Sequence, residues 1–231
     1  MFTLLSLQAD SLTAATSTAV IENVAPNTEI SVLEFILKGG VFLIPIAILL
    51  FYTFYVIAER YMYIDKASKI DDRLLRDVGE QLQSGNIELA RAIVERSTNA
   101  SSTIIKGGIL VIGRPIAEIE SNMDRAADIE IGQMEKHLGH LGLIAGIAPT
   151  LGFIGTISGV IKIFYSISVT ENISIGNISG GLYEKMISSG AGLIVGIIAY
   201  SAYHLLNGKI DNFALKVQKQ ILEFVNIIQR A

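Results

Sequence analysis

Residues 138–161 read Leu138-Gly-His-Leu-Gly-Leu-Ile-Ala-Gly-Ile-Ala-Pro-Thr-Leu-Gly-Phe-Ile-Gly-Thr-Ile-Ser-Gly-Val-Ile161, without one Asp, Glu, Lys or Arg. As a helix this stretch covers roughly 36 Å, more than the roughly 30 Å hydrocarbon core of a bilayer. Its small residues recur every three or four positions: Gly142, Gly146, Pro149, Gly152, Gly155 and Gly159. Lipid offers helices no hydrophobic reason to associate, so such a face marks close backbone packing.

Two further charge-poor blocks, Gly39 to Ala58 and Met186 to Leu206, are also long enough to span. The third block repeats the small-residue face with Ser188 or Ser189, Gly192, Gly196 and Ala199. At 51% hydrophobic residues with positive mean hydropathy, the 231-residue chain reads as all-α and integral to a membrane, with three spanning helices. It has no cysteine, hence no disulfide, thiolate metal site or cysteine nucleophile. No metal or cofactor is expected, and no nucleic-acid partner. No cluster of nucleophile, base and metal ligands lies in or near the spans, so an enzyme is not expected either.

Charge sets the orientation. No Lys or Arg occurs in residues 1–37 or 163–184, whereas eleven of the eighteen lie from Arg60 to Lys136 and four more follow residue 207. The positive-inside rule then puts the amino terminus outside and the long loop and carboxyl tail in the cytoplasm. The expected segments are an external arm (1–30, without a signal-peptide pattern), a segment 31–38, span 39–58, a cytoplasmic helical loop 59–137, span 138–165, an external loop 166–183, span 184–207 and a helical tail 208–231. Segment 31–38 reads equally as an interfacial amphipathic helix or an extension of the first span. In the loop, apolar periodicity predicts a helical hairpin broken at Ser84-Gly85-Asn86, a helix around 101–112 and another from Pro115. Between Pro115 and Ile161 only glycines and Pro149 are candidate breaks, so the second span is expected to project inward as one long, kinked rod. The tail's apolar stripe, from Ile210 to Ile228, extends the third span likewise, so both long helices enter a cytoplasmic bundle.

The candidate chemistry is sparse. Thr156 and Ser189 should lie at similar depth, roughly 14 and 9 Å from the outer helix ends at 1.5 Å per residue. Either hydroxyl alone reads as bonded to its own helix at i−4, but two at one level suggest a shared polar lining. No Asp or Glu lies within the three blocks, so any proton-carrying carboxylate must come from another chain. Glu184 and Lys162 stand at the outer mouth. Glu184 could attract cations or simply favour a helix start; Lys162 could gate the mouth or snorkel to the interface. His140 and His204, toward the inner ends, could relay protons or bond neighbouring backbone. Two hydroxyls without an intramembrane carboxylate make a poor sodium cage.

The run Ile147-Ala-Pro-Thr-Leu-Gly-Phe-Ile-Gly-Thr-Ile-Ser-Gly-Val-Ile-Lys-Ile-Phe164 resembles the second-helix signature of the ExbB/TolQ/MotA proton-channel subunits. Gly181-Leu-Tyr-Glu-Lys-Met-Ile-Ser-Ser-Gly-Ala-Gly-Leu193 resembles the family's third-helix stretch, and Ala58-Glu59-Arg60 the Glu-Arg pair closing its first helix. The resemblance implies a pentameric subunit of the bacterial inner membrane around single-span ExbD/TolR-type partners, whose Asp carries the proton. It also implies that Thr156 lines the pore and that Ser189 replaces a threonine there, with Glu184 as the acidic residue opening the third helix. Two positions depart from the pattern: Ile198 replaces a proline, and Lys162 stands where a neutral or weakly basic residue is usual. Three spans and an outer amino terminus resemble ExbB or TolQ rather than four-span stators, and the external arm favours an ExbB-like subunit acting through a TonB-like protein. An oligomeric scaffold without conduction is the alternative.

Overall fold

The computed structural model describes residues 41–70, 72–97, 99–170 and 175–230, and every regular element among them is helical. In chain order these are α1 (Leu43–Ala67), α2 (Asp72–Gln83), α3 (Ile87–Glu95), α4 (Ala100–Ile109), α5 (Ile116–Glu135), α6 (Leu138–Thr170) and α7 (Ile175–Arg230). Three helical stretches, Leu43–Ala67, Ile116–Thr170 and Ile178–Gln229, are long and apolar enough to cross a membrane. The chain is therefore all-α with three potential spans, as its composition required. The arm 1–30 and the segment 31–38 lie outside the described residues.

Phe42 sits beside Gly155 near one end of α1, Tyr52 bonds His140 further along, and Asp65 reaches Lys209 near the other end. Thus α1 runs antiparallel to α6 and parallel to α7. Its other face is bare apolar surface, with Ile44, Ile48, Phe51 and Tyr55 exposed at steps of three and four, as suits contact with lipid. A small membrane-level core joins Ile46, Ile144, Ala148, Val195 and Ala199.

The larger core lies in the polar-loop bundle. Leu75 and Val78 of α2, Ile104 and Ile105 of α4, Ile119 and Met123 of α5, and Phe213 and Phe224 of α7 are all buried in one cluster. Amphipathic helices too short to be stable alone are held there by their apolar faces on α7. The hairpin turns at Gly85, whose φ of 74° suits glycine.

Three features differ from the sequence-based expectation. The rod expected from Pro115 to Ile161 is broken at Lys136-His137, where His137 takes φ 67° between α5 and α6. Histidine enters the left-handed region more readily than most side chains, and no Gly or Pro marks the place. Pro149, by contrast, lies inside α6 without ending it. The segment 166–183, expected as a loop, is helical through Thr170 and again from Ile175. Ile163 remains against Gly181 there, so packing between the helices continues past the apolar blocks and outweighs the weak helix propensity of Ser, Asn and Gly. Finally, α1 runs past Ala58 to Ala67, with Arg60 and Ile64 buried.

Candidate functional site

The most extensive contact in the chain is between α6 and α7, and glycines make it possible. A Cβ added at Gly192 would collide with the Ala148 carbonyl oxygen, and one at Gly196 would stand 2.5 Å from Pro149 Cγ. At Gly152 it would meet the Ser189 Cα at 2.9 Å, and at Gly155 the Ser188 hydroxyl at 2.8 Å. Gly159 is overlain by the aliphatic stem of Lys185. Gly142 touches the Tyr203 ring at ordinary van der Waals distance and Gly146 faces open space, so these two do not form the seam.

Thr156 sits half-buried in this seam. Its Oγ1 is 3.2 Å from Gly152 O on its own helix and 3.2 Å from Lys185 O on α7, so one hydroxyl proton is shared between two carbonyls. The Lys185 carbonyl also accepts from Ser188 Oγ at 3.3 Å. A hydroxyl whose proton is engaged still offers lone pairs, so the Thr156 oxygen is presented as an acceptor. It could stabilise a protonated carboxyl or a water brought against it.

Ser189, expected at a depth similar to that of Thr156, is half-buried at the level of Gly152, one turn from it. Ser188, fully buried, is the hydroxyl nearest the Thr156 level. The sequence offered it only as an alternative to Ser189 in the small-residue face; Gly152 and Gly155, three residues apart, were the signal for the seam beneath both serines. Lys162 is exposed on α6. Glu184 lies in α7, but its side chain is outside the described residues. Lys185, which the sequence reading passed over, lies between the two helices one turn from Thr156.

A second polar group lies where α1 meets the junction of α5 and α6. Arg60, 5% exposed, donates from Nη1 to Gln133 O at 3.2 Å and forks onto its neighbour Glu59, with Nε to Oε2 at 2.9 Å and Nη2 to Oε1. The fork holds the Glu59 carboxyl below its ordinary range, with a smaller contribution from His137. Glu59 Oε2 lies 3.6 Å from His137 Nδ1. The rings of His137 and His140 stack at 5.5 Å, and Tyr52 Oη is 2.7 Å from His140 Nδ1. His204 packs edge-on to Tyr200 and Tyr203. Among the described residues no three or more His, Asp or Glu converge as metal ligands.

Comparison with known proteins identifies the family. Residues 85–219, covering α6, most of α7 and much of the loop bundle, match the model of the MotA/TolQ/ExbB proton channel family. The chain is 30% identical over 189 residues to a putative biopolymer transport protein, an ExbB homolog, of Methanothermobacter thermautotrophicus; the match covers 81% of this chain and 67% of that protein. A putative ExbB-like biopolymer transport protein of Synechocystis is 26% identical over 178 residues, 75% of this chain and 70% of the other. The Tol-Pal system protein TolQ of Haemophilus influenzae is 27% identical over 108 residues, 47% of each chain. A glycine seam, a hydroxyl held inside it and a family match over more than half of the chain converge: this protein belongs to the MotA/TolQ/ExbB proton channel family.

Proposed function

We propose that this chain is an ExbB-type motor subunit of a bacterial inner membrane, oriented with its amino terminus periplasmic and its tail cytoplasmic. Several copies, five by resemblance, surround a single-span ExbD-like partner whose Asp carries the proton. Proton passage past Thr156 and the serines of α7 drives motion of ring against partner, and a TonB-like protein transmits the work to import across the outer membrane. Glu184 and Lys162 border the outer entrance.

The observation that carries this reading is Thr156, fixed between two carbonyls with its oxygen left as an acceptor, among three apolar blocks that lack any carboxylate of their own. Such an oxygen suits a protonated carboxyl supplied by another chain. Liposomes containing the chain and its single-span partner test it through pH-driven proton uptake. Thr156→Val should slow uptake about tenfold, the effect on a rate of losing roughly 1.4 kcal/mol of hydrogen bonding. Ser189→Ala should slow it less. Uptake unchanged in both variants would leave the scaffold reading. The similarity to a TolQ over 108 residues favours one second reading, envelope maintenance, which the identity of the co-purifying partner distinguishes.

A further inference from the structure

The histidines at the α5–α6 break are not used by the proton pathway described above, yet each is engaged by a titratable group of α1. We propose that His137 and His140, with Glu59 and Tyr52, form a second proton-binding site, which holds one proton and tightens the joint between α5 and α6 when occupied.

Imidazole is the side chain whose charge changes in the range of roughly pH 5 to 8. The two rings are nearly parallel, at 16° with centroids 5.5 Å apart, so positive charge on both at once would be mutually repulsive. Glu59 lies 3.6 Å from His137 Nδ1, and Tyr52 Oη is 2.7 Å from His140 Nδ1. The other charged and phenolic groups around the pair are few. From α1 come Arg60, already forked onto Glu59, with Tyr55 stacked on Tyr52 and Tyr63 bonded to Gln133. The end of α5 brings Glu135 and Lys136. From α7 come Asp211 and Tyr203, which with Glu135 border the small cleft beside Leu138 and Gly139. Arg60 is already engaged by Glu59, and Glu135 and Lys136 carry opposite charges at the end of α5, so Glu59 is the carboxylate that an added proton meets at His137.

The mechanical consequence follows from the backbone. His137 is the left-handed residue that separates the two helices, and Arg60 already ties the last turn of α5 to α1 through Gln133 O. Charging His137 adds an ionic attraction to Glu59 and draws the break onto α1. Loss of the proton leaves the Arg60 tie alone, and the joint loosens. His137 is exposed and precedes the apolar block that begins at Leu138, so the pair meets the aqueous side on which α5 stands through His137. The proposed orientation enters only in naming that side as the cytoplasm, so the joint would sense the pH of the compartment into which protons are delivered.

The chain contains no cysteine, so a spin-label pair at Asp124→Cys on α5 and Leu143→Cys on α6, both exposed positions, reports on the joint without background. In the full chain in nanodiscs, pulsed dipolar distances should be narrowly distributed near pH 6 and broader near pH 8. The response should be lost in His137→Asn, which tolerates the same backbone region, and in His140→Gln. Should the first variant not fold, the second decides alone. A distribution identical at both pH values, or a response retained in the variants, overturns the proposal. Proton flux is not measured, so failure of the Thr156 pathway would leave this outcome unaffected.

Discussion

At the α6–α7 seam the identity of single atoms decides what can be tolerated. The Cβ of Gly192→Ala would run into a backbone carbonyl, that of Ala148, which cannot rotate away, so the helices must part. A loss of about 1–3 kcal/mol is expected from overpacking of this kind. Gly190→Ala, which meets nothing within 4 Å, should change stability by less than about 0.5 kcal/mol. Thermal unfolding of the two variants in the same detergent checks the contrast. Glu130 on α5 presents a different residue-scale case: burial raises its carboxyl above the ordinary range, with Thr103 opposing. A raised acid stabilises the fold below its unfolded value and loses that contribution as pH rises through the folded value. Glu130→Gln should therefore raise the melting temperature at pH 7.5 and leave it nearly unchanged at pH 4. Glu59 has the opposite sign. Its lowered carboxyl, held by Arg60, contributes stability above its unfolded value that disappears as pH falls through the depressed one, so Glu59→Gln should flatten the acid limb of the melting curve.

Between residues and the whole molecule, elements seat on one another through a few close approaches. Helix α4 enters the loop bundle because Gly108 leaves space for Met123 Sδ and Phe224 Cε1, which would lie 2.6 and 2.7 Å from an added Cβ. Gly108→Ala should cost about 1–3 kcal/mol, since the Phe224 ring is fully buried and has no room to withdraw. Met123→Ala in the same background should recover part of that loss despite making a cavity of its own; denaturation of the single and double variants measures the coupling. The hairpin of α2 and α3 and the breaks around it were legible from periodicity and Ser84-Gly85-Asn86, because local turn chemistry and apolar spacing agree there. The break at His137 was not. Its stabilising partners, Glu59 and Arg60, stand more than seventy residues away, and nothing in the local sequence announces them.

Over the whole molecule, the segregation of cations remains the argument for orientation, and labelling can test it directly. A cysteine at Ser168, on the exposed end of α6, should react with an impermeant maleimide in intact cells, and one at Gln218 on α7 only after the membrane is opened. Reversal of the two results would invert the proposed topology. Three potential spans, the polar bundle and the family were readable without coordinates, because hydropathy over twenty residues and a dense glycine pattern depend on composition and spacing alone. Three things depended on the tertiary structure: that Gly152, Gly155, Gly159, Gly192 and Gly196 share one seam while Gly142 and Gly146 do not, that Thr156 bonds across to Lys185 with Ser188 beside it, and that α5 and α6 are separate helices. Periodicity places a residue on a helix face. The rotation and axial offset of that face against its neighbour are set by contacts between residues far apart in the chain, and so they become visible only when the helices are packed.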